Sequence, residues 1–398
     1  VDAMAHDGLR VLGVAEARHA GDTWPEGEHD FDFQFLGLIG LSDPIRPEIP
    51  SAIKQCHDAG IRVIMITGDY PATAHSIAQQ AGLKVVDANV LSGDELTALS
   101  DEQLQERLKT TSVCARIAPE QKLRIVQALK ADGEIVAMTG DGVNDAPALK
   151  AAHVGVAMGG RGTDVAREAA SLVLLDDNFA SIVRAIRLGR RIFDNLQKSM
   201  SYLLAVHIPI AGMAILPILL GWPIMLFPLH IAFLELVVDP ACSLAFENEP
   251  AEADVMRRPP RSTTAKLFSG PTLTYAMLQG LGALAAVAAA YWWGITHMTE
   301  PQARAFAFAT LVVANLALIL SNRSKHASFI TSLRRPNKTL WIVVASTFAL
   351  LAVVVEVPAI ASLMRFDTPD PAAILAVFAL GLACTMWFEL MRRNVTHG

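Results

Sequence analysis

The sequence predicts an α/β domain built on a parallel sheet, followed by an all-α bundle of six transmembrane helices. Of the 398 residues, 52% are hydrophobic and 18% are charged, and the charged residues dominate only up to about residue 191. In that first half, short apolar runs alternate with amphipathic stretches. In the second half, six apolar stretches follow one another, each close to the ~20 residues that cross a bilayer. These observations indicate a soluble domain joined to a membrane domain.

Residues 1–34 form a short first region. The pattern predicts a helix over residues 4–12, with a strand remnant as the alternative for this region, and a polar segment with Gly, Pro and Asp follows at residues 21–30. The sequence starts at Val1, inside the predicted helix, so we expect it to be a piece of a longer protein.

Residues 35–198 form the predicted α/β domain. Its predicted strands are residues 35–41, 62–67, 112–117, 135–139, 154–158 and 172–175. Its predicted helices are residues 48–59, 72–80, 120–131, 146–151 and 164–170. Strands that alternate with helices favour a parallel sheet covered on both faces, with ligands at the carboxyl ends of the strands.

Residues 199–398 form the predicted membrane domain. Its six apolar stretches are residues 199–220, 224–246, 270–294, 303–322, 339–363 and 371–391. Any one of them alone would also suit a buried core helix, but six in succession favour membrane spans. Lysines and arginines concentrate after the second, fourth and sixth stretches, which predicts a cytoplasmic soluble domain and C-terminus. A charged helix over residues 184–199 is predicted to run directly into the first span.

Charge and cysteine usage exclude some classes of function. The net charge of −6 provides no basic surface for nucleic acid. The cysteines, Cys56, Cys114, Cys242 and Cys384, lie far apart and form no CxxC pair. This spacing suits neither a disulfide framework nor a zinc site, so we expect buried free thiols.

The most informative motif is TGDGVNDAPAL at residues 139–149, directly after a predicted strand. Asp141, Asn144 and Asp145 lie close together there on a glycine-containing turn. Neighbouring carboxylates repel each other unless a cation lies between them, and their oxygens suit Mg²⁺ shared with a phosphate. A solvated Asp/Asn/Gly turn is the alternative, but an eleven-residue string after a strand is far more specific than a bare GDG.

Two further segments suit phosphate chemistry. MITGD at residues 65–69 ends another predicted strand, where the Thr67 hydroxyl and the Gly68 amide can donate to a phosphoryl oxygen. Lys122 begins an amphipathic helix, and its ammonium could neutralise a transferring phosphoryl group. Taken alone, such a lysine is more often a solvated surface residue. The glycine-rich run at residues 159–163 is more often a plain loop.

Taken together, these motifs resemble those of the P-type ATPases. DPIR (residues 43–46), MITGD, ARIAPEQK (residues 115–122) and TGDGVNDAPAL occur in the order and at the separations of that family. The resemblance runs from about residue 35 through the membrane region. It implies that residues 35–198 are the C-terminal part of a phosphorylation domain with a haloacid-dehalogenase-like fold, and that residues 1–34 are the end of a nucleotide-binding domain and a linker. It also implies ATP and Mg²⁺ as cofactors, because the family transfers the γ-phosphate of ATP to an aspartate and then hydrolyses it.

The resemblance implies a role for each matching residue. Asp141 would hold Mg²⁺, with Asn144 and Asp145 supporting the phosphate and metal shell. The implied catalytic residues are Thr67, Gly68, Asp69, Lys122, Asp141, Asn144 and Asp145. The implied metal residues are Asp141 and Asp145, and the implied nucleotide-binding residues are Asp43, Arg46 and Arg116.

The family's DKTGT motif, which carries the phosphorylated aspartate, does not occur in this sequence, and neither does its TGE motif. The resemblance therefore implies that a missing N-terminal half carries the nucleophile, the adenine-binding domain and four further membrane helices. It also implies that this chain by itself does not become phosphorylated.

The second predicted span carries two carboxylates. In FLELVVDP, residues 233–240, Glu235 and Asp239 are four residues apart and so lie on one face of a helix. Intramembrane carboxylates are costly unless they meet a cation, a proton or a partner. No basic residue lies in the middle of the six stretches, which disfavours a structural ion pair. Pro240 would free nearby backbone carbonyls as further oxygen ligands.

This stretch resembles the sixth membrane helix of calcium and sodium–potassium pumps. The first span departs from calcium pumps, because it offers His207 and Pro209 where they carry a carboxylate. His207 could be a cation ligand, a proton carrier or a hydrogen-bonded core residue. Asn315 and Glu356 are weaker candidates. Oxygen ligands favour Ca²⁺ or another hard cation, namely Mg²⁺, Mn²⁺, Na⁺, K⁺ or H⁺.

Three classes of function remain open at this point. The first is a multi-pass cation pump, with the plasma membrane of a prokaryote as its expected location. The second is a membrane-anchored phosphatase of the same soluble fold, and the third is a non-catalytic regulatory half-protein. The intramembrane carboxylates disfavour the phosphatase, and also a lipid flippase. The intact TGDGVNDAP string disfavours the regulatory subunit.

Overall fold

The structure, a computed structural model, divides into two compact units. The first comprises Val1–Arg187 with Met256–Pro260, and the second comprises Leu188–Val255 with Arg261–Gly398. The residues described are 1–19, 23–24, 26–262, 264, 267–268, 270–324 and 329–396. Within these, the side chains of residues 28, 237–242, 329–330 and 392–396 lie outside the description.

The first unit begins with a helix and an antiparallel pair of strands. These elements are α1 (Asp2–His6), β1 (Arg10–Ala17) and β2 (Phe33–Leu41). The predicted helix over residues 4–12 is therefore wrong beyond His6, because Gly8 takes a left-handed φ of 80° and ends the helical path. The predicted membership of residues 35–41 in the parallel sheet is also wrong, since β2 pairs antiparallel with β1.

Two three-stranded parallel sheets follow in the same unit. One has the strand order β3-β5-β4, and the other has the order β6-β7-β8. The strands are β3 (Met65–Ile66), β4 (Val90–Ser92), β5 (Val113–Ala115), β6 (Ala137–Gly140), β7 (Val154–Met158) and β8 (Leu172–Leu174). The parallel pairing confirms the predicted α/β class. β3 and β6, whose ends carry the phosphate motifs, are the outer strands of their sheets.

Helices connect these strands. They are α2 (Ile49–Asp58), α3 (Pro71–Gln80), α4 (Gly93–Ala98), α5 (Asp101–Leu108), α6 (Pro119–Ala131), α7 (Ala146–Ala151) and α8 (Asp164–Ala169). α3 and α6 begin at prolines. The first N–H groups of a helix have no hydrogen-bond partner within it, so the absence of an N–H on proline costs nothing at this position. One core cluster contains residues of both parallel sheets, among them Leu91, Cys114, Met138 and Ala157. The two sheets are thus parts of one packed body.

The rest of the described chain is helical. Its elements are α9 (Phe179–Leu220), α10 (Pro228–Phe233), a π-helical segment (Leu234–Val238), α11 (Asp239–Glu247), α12 (Gly270–His297), α13 (Glu300–Asn322), α14 (Phe329–Leu333), α15 (Lys338–Glu356), α16 (Pro358–Leu363) and α17 (Pro371–Thr396). α9 is one helix of 42 residues, which confirms that the charged segment runs directly into the first predicted span. Cys56, Cys114 and Cys384 are buried free thiols, as predicted, and the side chain of Cys242 lies outside the description.

Among the described residues, five helices are long and apolar enough to cross a membrane: α9, α12, α13, α15 and α17. The second predicted span is helical but is divided into α10, the π segment and α11. The count of six spans therefore remains a prediction that the fold accommodates. α13 is the central helix of the second unit. In its most apolar 18-residue stretch 89% of the residues are buried, whereas the share in the corresponding stretches of the other four helices is 28–33%.

Candidate phosphate, magnesium and cation sites

Asp145 organises the turn that follows β6. Its side chain is buried, and its Oδ1 accepts a hydrogen bond from Lys122 Nζ at 2.7 Å. Its Oδ2 accepts from the backbone amides of Asp141 and Gly142, at 3.2 and 3.1 Å. The Asp145 carboxylate thus stabilises the turn through its backbone amides. It also holds the ammonium of Lys122, at the start of α6, next to this turn.

Gly140 is required by this packing. A Cβ at position 140 would lie 2.5 Å from the Cβ of Asp145, closer than real Cβ atoms approach. The glycine of TGDG therefore lets the buried Asp145 side chain pass over the end of β6.

Asp141 is the carboxylate that this arrangement leaves available. Its side chain is exposed and makes no hydrogen bond or ion pair with any residue in the described part of the chain, and its carbonyl accepts from Thr163 N at 2.9 Å. Magnesium is commonly held by one or two carboxylates, with waters and substrate phosphate completing the shell. Asp141 fits that role, and Asp145, with Lys122 and two amides already bound, fits a supporting one. Within the described ranges, no cluster of three or more His, Cys, Asp or Glu is arranged to hold a metal ion.

At the end of β3, Thr67 and Asp69 bind each other. The Thr67 hydroxyl donates to Asp69 Oδ2 at 2.8 Å and accepts from the Asp69 amide at 3.1 Å. Gly68 between them is exposed, and a Cβ there would meet nothing within 4 Å. Because Thr67 and Asp69 bind each other, the exposed part of this turn is the Gly68 backbone. An exposed backbone amide in a turn suits an anionic oxygen.

The predicted nucleotide residues have different surroundings. The Arg46 guanidinium donates to the carbonyl of Asp177 at 2.6 Å, so it supports the chain after β8. Asp43 and Arg116 are exposed, and Arg116 takes a left-handed φ of 54°. The structure thus leaves two of the three side chains open to solvent.

Asp177 is a residue whose importance the sequence did not signal. Its carboxylate accepts hydrogen bonds from the amides of Gly160 and Arg161, at 2.9 and 2.8 Å. The hydrogen bond from Gly160 is the main reason that the pKa of this partly exposed carboxyl is lowered. The glycine-rich run at residues 159–163 is therefore held by Asp177, which agrees with the interpretation of that run as a loop.

In the second unit, His207 and Glu235 face each other. His207 lies on α9 and Glu235 on the π segment, and the distance from His207 Nε2 to Glu235 Oε1 is 3.7 Å. The Asp239 side chain lies outside the described residues. Asn315 on α13 is fully buried, and neither polar atom of its amide has a hydrogen-bond partner among the described residues. Glu356 is exposed at the last residue of α15.

Comparisons with known proteins match both units. The family model described as "Cation transporting ATPase, C-terminus" matches residues 223–393, and two models of haloacid dehalogenase-like hydrolases match residues 11–153 and 122–186. A protein named "Calcium-transporting ATPase" from Bacillus subtilis is 40% identical over 362 residues, covering 89% of this chain and 40% of the relative. A "Probable cation-transporting ATPase F" from Mycobacterium tuberculosis is 38% identical over 393 residues, covering 95% of this chain and 43% of the relative.

The chain spans about two fifths of the length of these curated relatives. The family models place the hydrolase-like part in the first unit and the transport part in the second. The haloacid-dehalogenase-like domain, the apolar helices and the relatives agree with one another, and the chain belongs to the P-type cation-transporting ATPase family.

Proposed function

We propose that this chain supplies the phosphate and magnesium groups and the last six membrane helices of an ATP-driven cation pump that works through an aspartyl phosphate. The observation that carries the proposal is the arrangement after β6, where buried Asp145 holds Lys122 and leaves the Asp141 carboxylate available. Family membership supports it, as does the Glu235 carboxylate on the π segment of the second unit.

The proposed roles follow from charge and geometry. Asp145 keeps the Lys122 ammonium in place, so that Lys122 can neutralise a phosphoryl oxygen without reorganising during the reaction. The Gly68 amide would donate to the same phosphoryl group, with Thr67 and Asp69 shaping the turn. Asp141 would hold Mg²⁺, which when bound supplies positive charge to the phosphoryl oxygens. Asp43, Arg46 and Arg116 would seat ATP.

We further propose that the phosphorylated aspartate lies on a strand outside this sequence. β3 and β6 are outer strands of two sheets that share one core, and both end in groups suited to phosphate. A strand added to these edges would bring an aspartate to the same end of the sheet. We expect the native polypeptide to have a mass well above 42.8 kDa, as measured on the protein purified from its membrane. A native mass equal to 42.8 kDa would contradict this part of the proposal.

The proposed cargo is Ca²⁺ or another hard cation, bound by Glu235 and Asp239. The relatives' names, calcium-transporting and cation-transporting ATPase, support this class. The positive-inside pattern supports a cytoplasmic first unit and C-terminus, and the bacterial relatives support a prokaryotic plasma membrane.

Two variants of the complete polypeptide test the proposal. We expect Asp141→Asn to lower phosphorylation by ATP at least about 100-fold, because a ligand for the charge-neutralising ion is lost. We expect Glu235→Gln to abolish cation-stimulated ATP hydrolysis while phosphorylation by inorganic phosphate persists, because the first unit is unchanged. Phosphorylation is read from acid-stable incorporation of labelled phosphate, and cation-stimulated hydrolysis is read from the release of inorganic phosphate.

Asp58→Asn is the matched control, since in the described part of the chain Asp58 pairs only with exposed Lys54, and this variant should leave both activities unchanged. Normal phosphorylation of the Asp141→Asn variant would contradict the proposed phosphate site. Unchanged cation stimulation in Glu235→Gln would remove the proposed cargo site and leave the phosphate site standing.

A further inference from the structure

The hydrogen bonding of His207 determines which of its ring nitrogens faces Glu235. His207 Nδ1 lies 2.7 Å from the carbonyl oxygen of Leu203, one turn earlier on α9. A carbonyl only accepts hydrogen bonds, so Nδ1 carries the hydrogen. In the neutral ring, Nε2 then carries a lone pair, and Nε2 is the atom that lies 3.7 Å from Glu235 Oε1.

The distance between His207 Nε2 and Glu235 Oε1 suits two ligands of one ion better than a direct hydrogen bond. A separation of 3.7 Å is too long for a hydrogen bond between the two side chains. Ligands that lie ~2.0–2.6 Å from an ion and at right angles to each other are roughly 3 to 3.7 Å apart. The π segment that carries Glu235 is a kind of helical irregularity that recurs at functional sites.

We infer that His207 donates its Nε2 lone pair to the cation site, so that the site admits a first-row divalent transition-metal ion such as Mn²⁺ more readily, relative to Ca²⁺, than an all-oxygen site would. This inference rests on the proposed function and refines its cargo class. Calcium and magnesium take oxygen ligands, whereas imidazole binds transition-metal ions well. Replacing one oxygen ligand by a nitrogen therefore weakens Ca²⁺ binding more than Mn²⁺ binding.

The direct test is spectroscopic and uses Mn²⁺ as the probe. The complete polypeptide is loaded with Mn²⁺ without nucleotide, in an Asp141→Asn background that removes the proposed metal ligand of the first unit. We expect the electron spin echo of the bound Mn²⁺ to show modulation from a directly coordinated ¹⁴N. Labelling histidine with ¹⁵N should replace that modulation by the ¹⁵N pattern. This measurement needs no change at position 207, so it does not depend on whether a variant folds.

The second test is transport selectivity. His207→Gln, whose side-chain amide reaches the position of Nε2, replaces the nitrogen donor by an amide oxygen, and we expect the Mn²⁺-to-Ca²⁺ ratio of transport efficiencies to fall about tenfold. His297→Gln is the matched control, because His297 Nδ1 also bonds to the carbonyl four residues earlier, that of Trp293, at 2.9 Å. Within the described chain, no carboxylate pairs with His297, so its replacement should leave the ratio unchanged.

Absence of nitrogen modulation in the wild type, or an unchanged ratio in His207→Gln, would overturn the inference. Either result leaves the pump proposal intact as long as Glu235→Gln still abolishes cation stimulation. Cation stimulation that survives Glu235→Gln would instead contradict the cargo site itself, so the two failures are distinguishable.

Discussion

At the residue scale, Glu252 is a buried acid held by three partners of the second unit. Its Oε1 lies 2.6 Å from Lys198 Nζ, and its Oε2 accepts from Arg335 at 2.8 Å and from the Ser324 hydroxyl at 3.0 Å. Burial by itself raises the pKa of this carboxyl, but the Lys198 ammonium and the Arg335 guanidinium outweigh burial and bring the pKa down to about 2. Glu252 therefore ties the segment after α11 to α9 and to the segment that precedes α15.

This pairing predicts a loss of stability in acid. The carboxyl has a lower pKa in the folded protein than the ordinary 4.5, so its stabilisation is complete above pH 4.5 and is lost as the pH falls from 4.5 towards 2. The lowered pKa corresponds to a contribution of about 3 kcal/mol to the free energy of unfolding. We expect Glu252→Gln to unfold at a lower temperature than the wild type at pH 7, by thermal unfolding in detergent, and to lose most of the acid dependence.

Asp58→Asn again serves as the control, because its exposed pair with Lys54 contributes little. Equal unfolding temperatures for Glu252→Gln and wild type at pH 7 would contradict the stabilising role of the buried pair.

At the scale of one element, His230 anchors the helix that carries Glu235. His230 is fully buried in α10, where its Nδ1 accepts from Phe227 N at 3.1 Å and its Nε2 donates to Met364 O at 2.7 Å. Its ring also stacks on Phe366 at 4.8 Å. The start of the second predicted span is therefore tied to the chain after α16, and the π segment with Glu235 begins one turn later.

We expect His230→Leu to destabilise the protein by about 2 kcal/mol, because it leaves the Phe227 amide and the Met364 carbonyl buried without partners. We also expect it to raise the cation concentration that half-activates ATP hydrolysis, since Glu235 loses its anchored support. The concentration dependence of cation-stimulated hydrolysis measures this effect. His297→Leu, at an exposed position, is the control. A half-activating concentration that stays at the wild-type value would contradict the positioning role.

At the scale of the whole molecule, the first unit exposes apolar strand surfaces that a folded domain normally covers. Phe35 and Leu36 on β2 are 65% and 57% exposed, and as neighbours in a strand they point to opposite faces. Ile135, just before β6, is 63% exposed. A two-stranded sheet such as β1–β2 is only marginally stable alone. The exposed residue before β6 supports our proposal that a strand outside this sequence packs on the edge of β6, and we further propose that additional chain covers the β1–β2 pair.

Hydrogen exchange can test this proposal. We expect backbone amides of β1, β2 and β6 to exchange at least about tenfold more slowly in the complete polypeptide than in the isolated 398-residue chain, because additional strands protect them. Amides of α13 should exchange equally in both, since that helix is already enclosed. Equal exchange at the three strands would show that nothing covers them.

The sequence by itself determined the features that depend on local pattern. The strand at Val154–Met158 and the helix at Ala146–Ala151 have the bounds that apolar runs and flanking residues predict. The length and composition of the apolar stretches were enough to predict five helices that are long and apolar enough to cross a membrane. The motif after β6 pointed to Asp141 and Asp145 because unusual residue types occur there in a short string. The three-residue β4, by contrast, was too short to leave a recognisable pattern.

Only the tertiary structure decided how these residues divide their roles. Lys122 and Asp145 are 23 residues apart, and their contact is what separates a supporting carboxylate from the available Asp141. His207 and Glu235 lie on different helices, and the tautomer of His207 depends on a hydrogen bond along α9. The antiparallel pairing of β2 and the burial of Glu252 are long-range contacts as well. Local periodicity reports which face of an element is apolar, whereas the partner that meets that face is determined by packing across the whole unit.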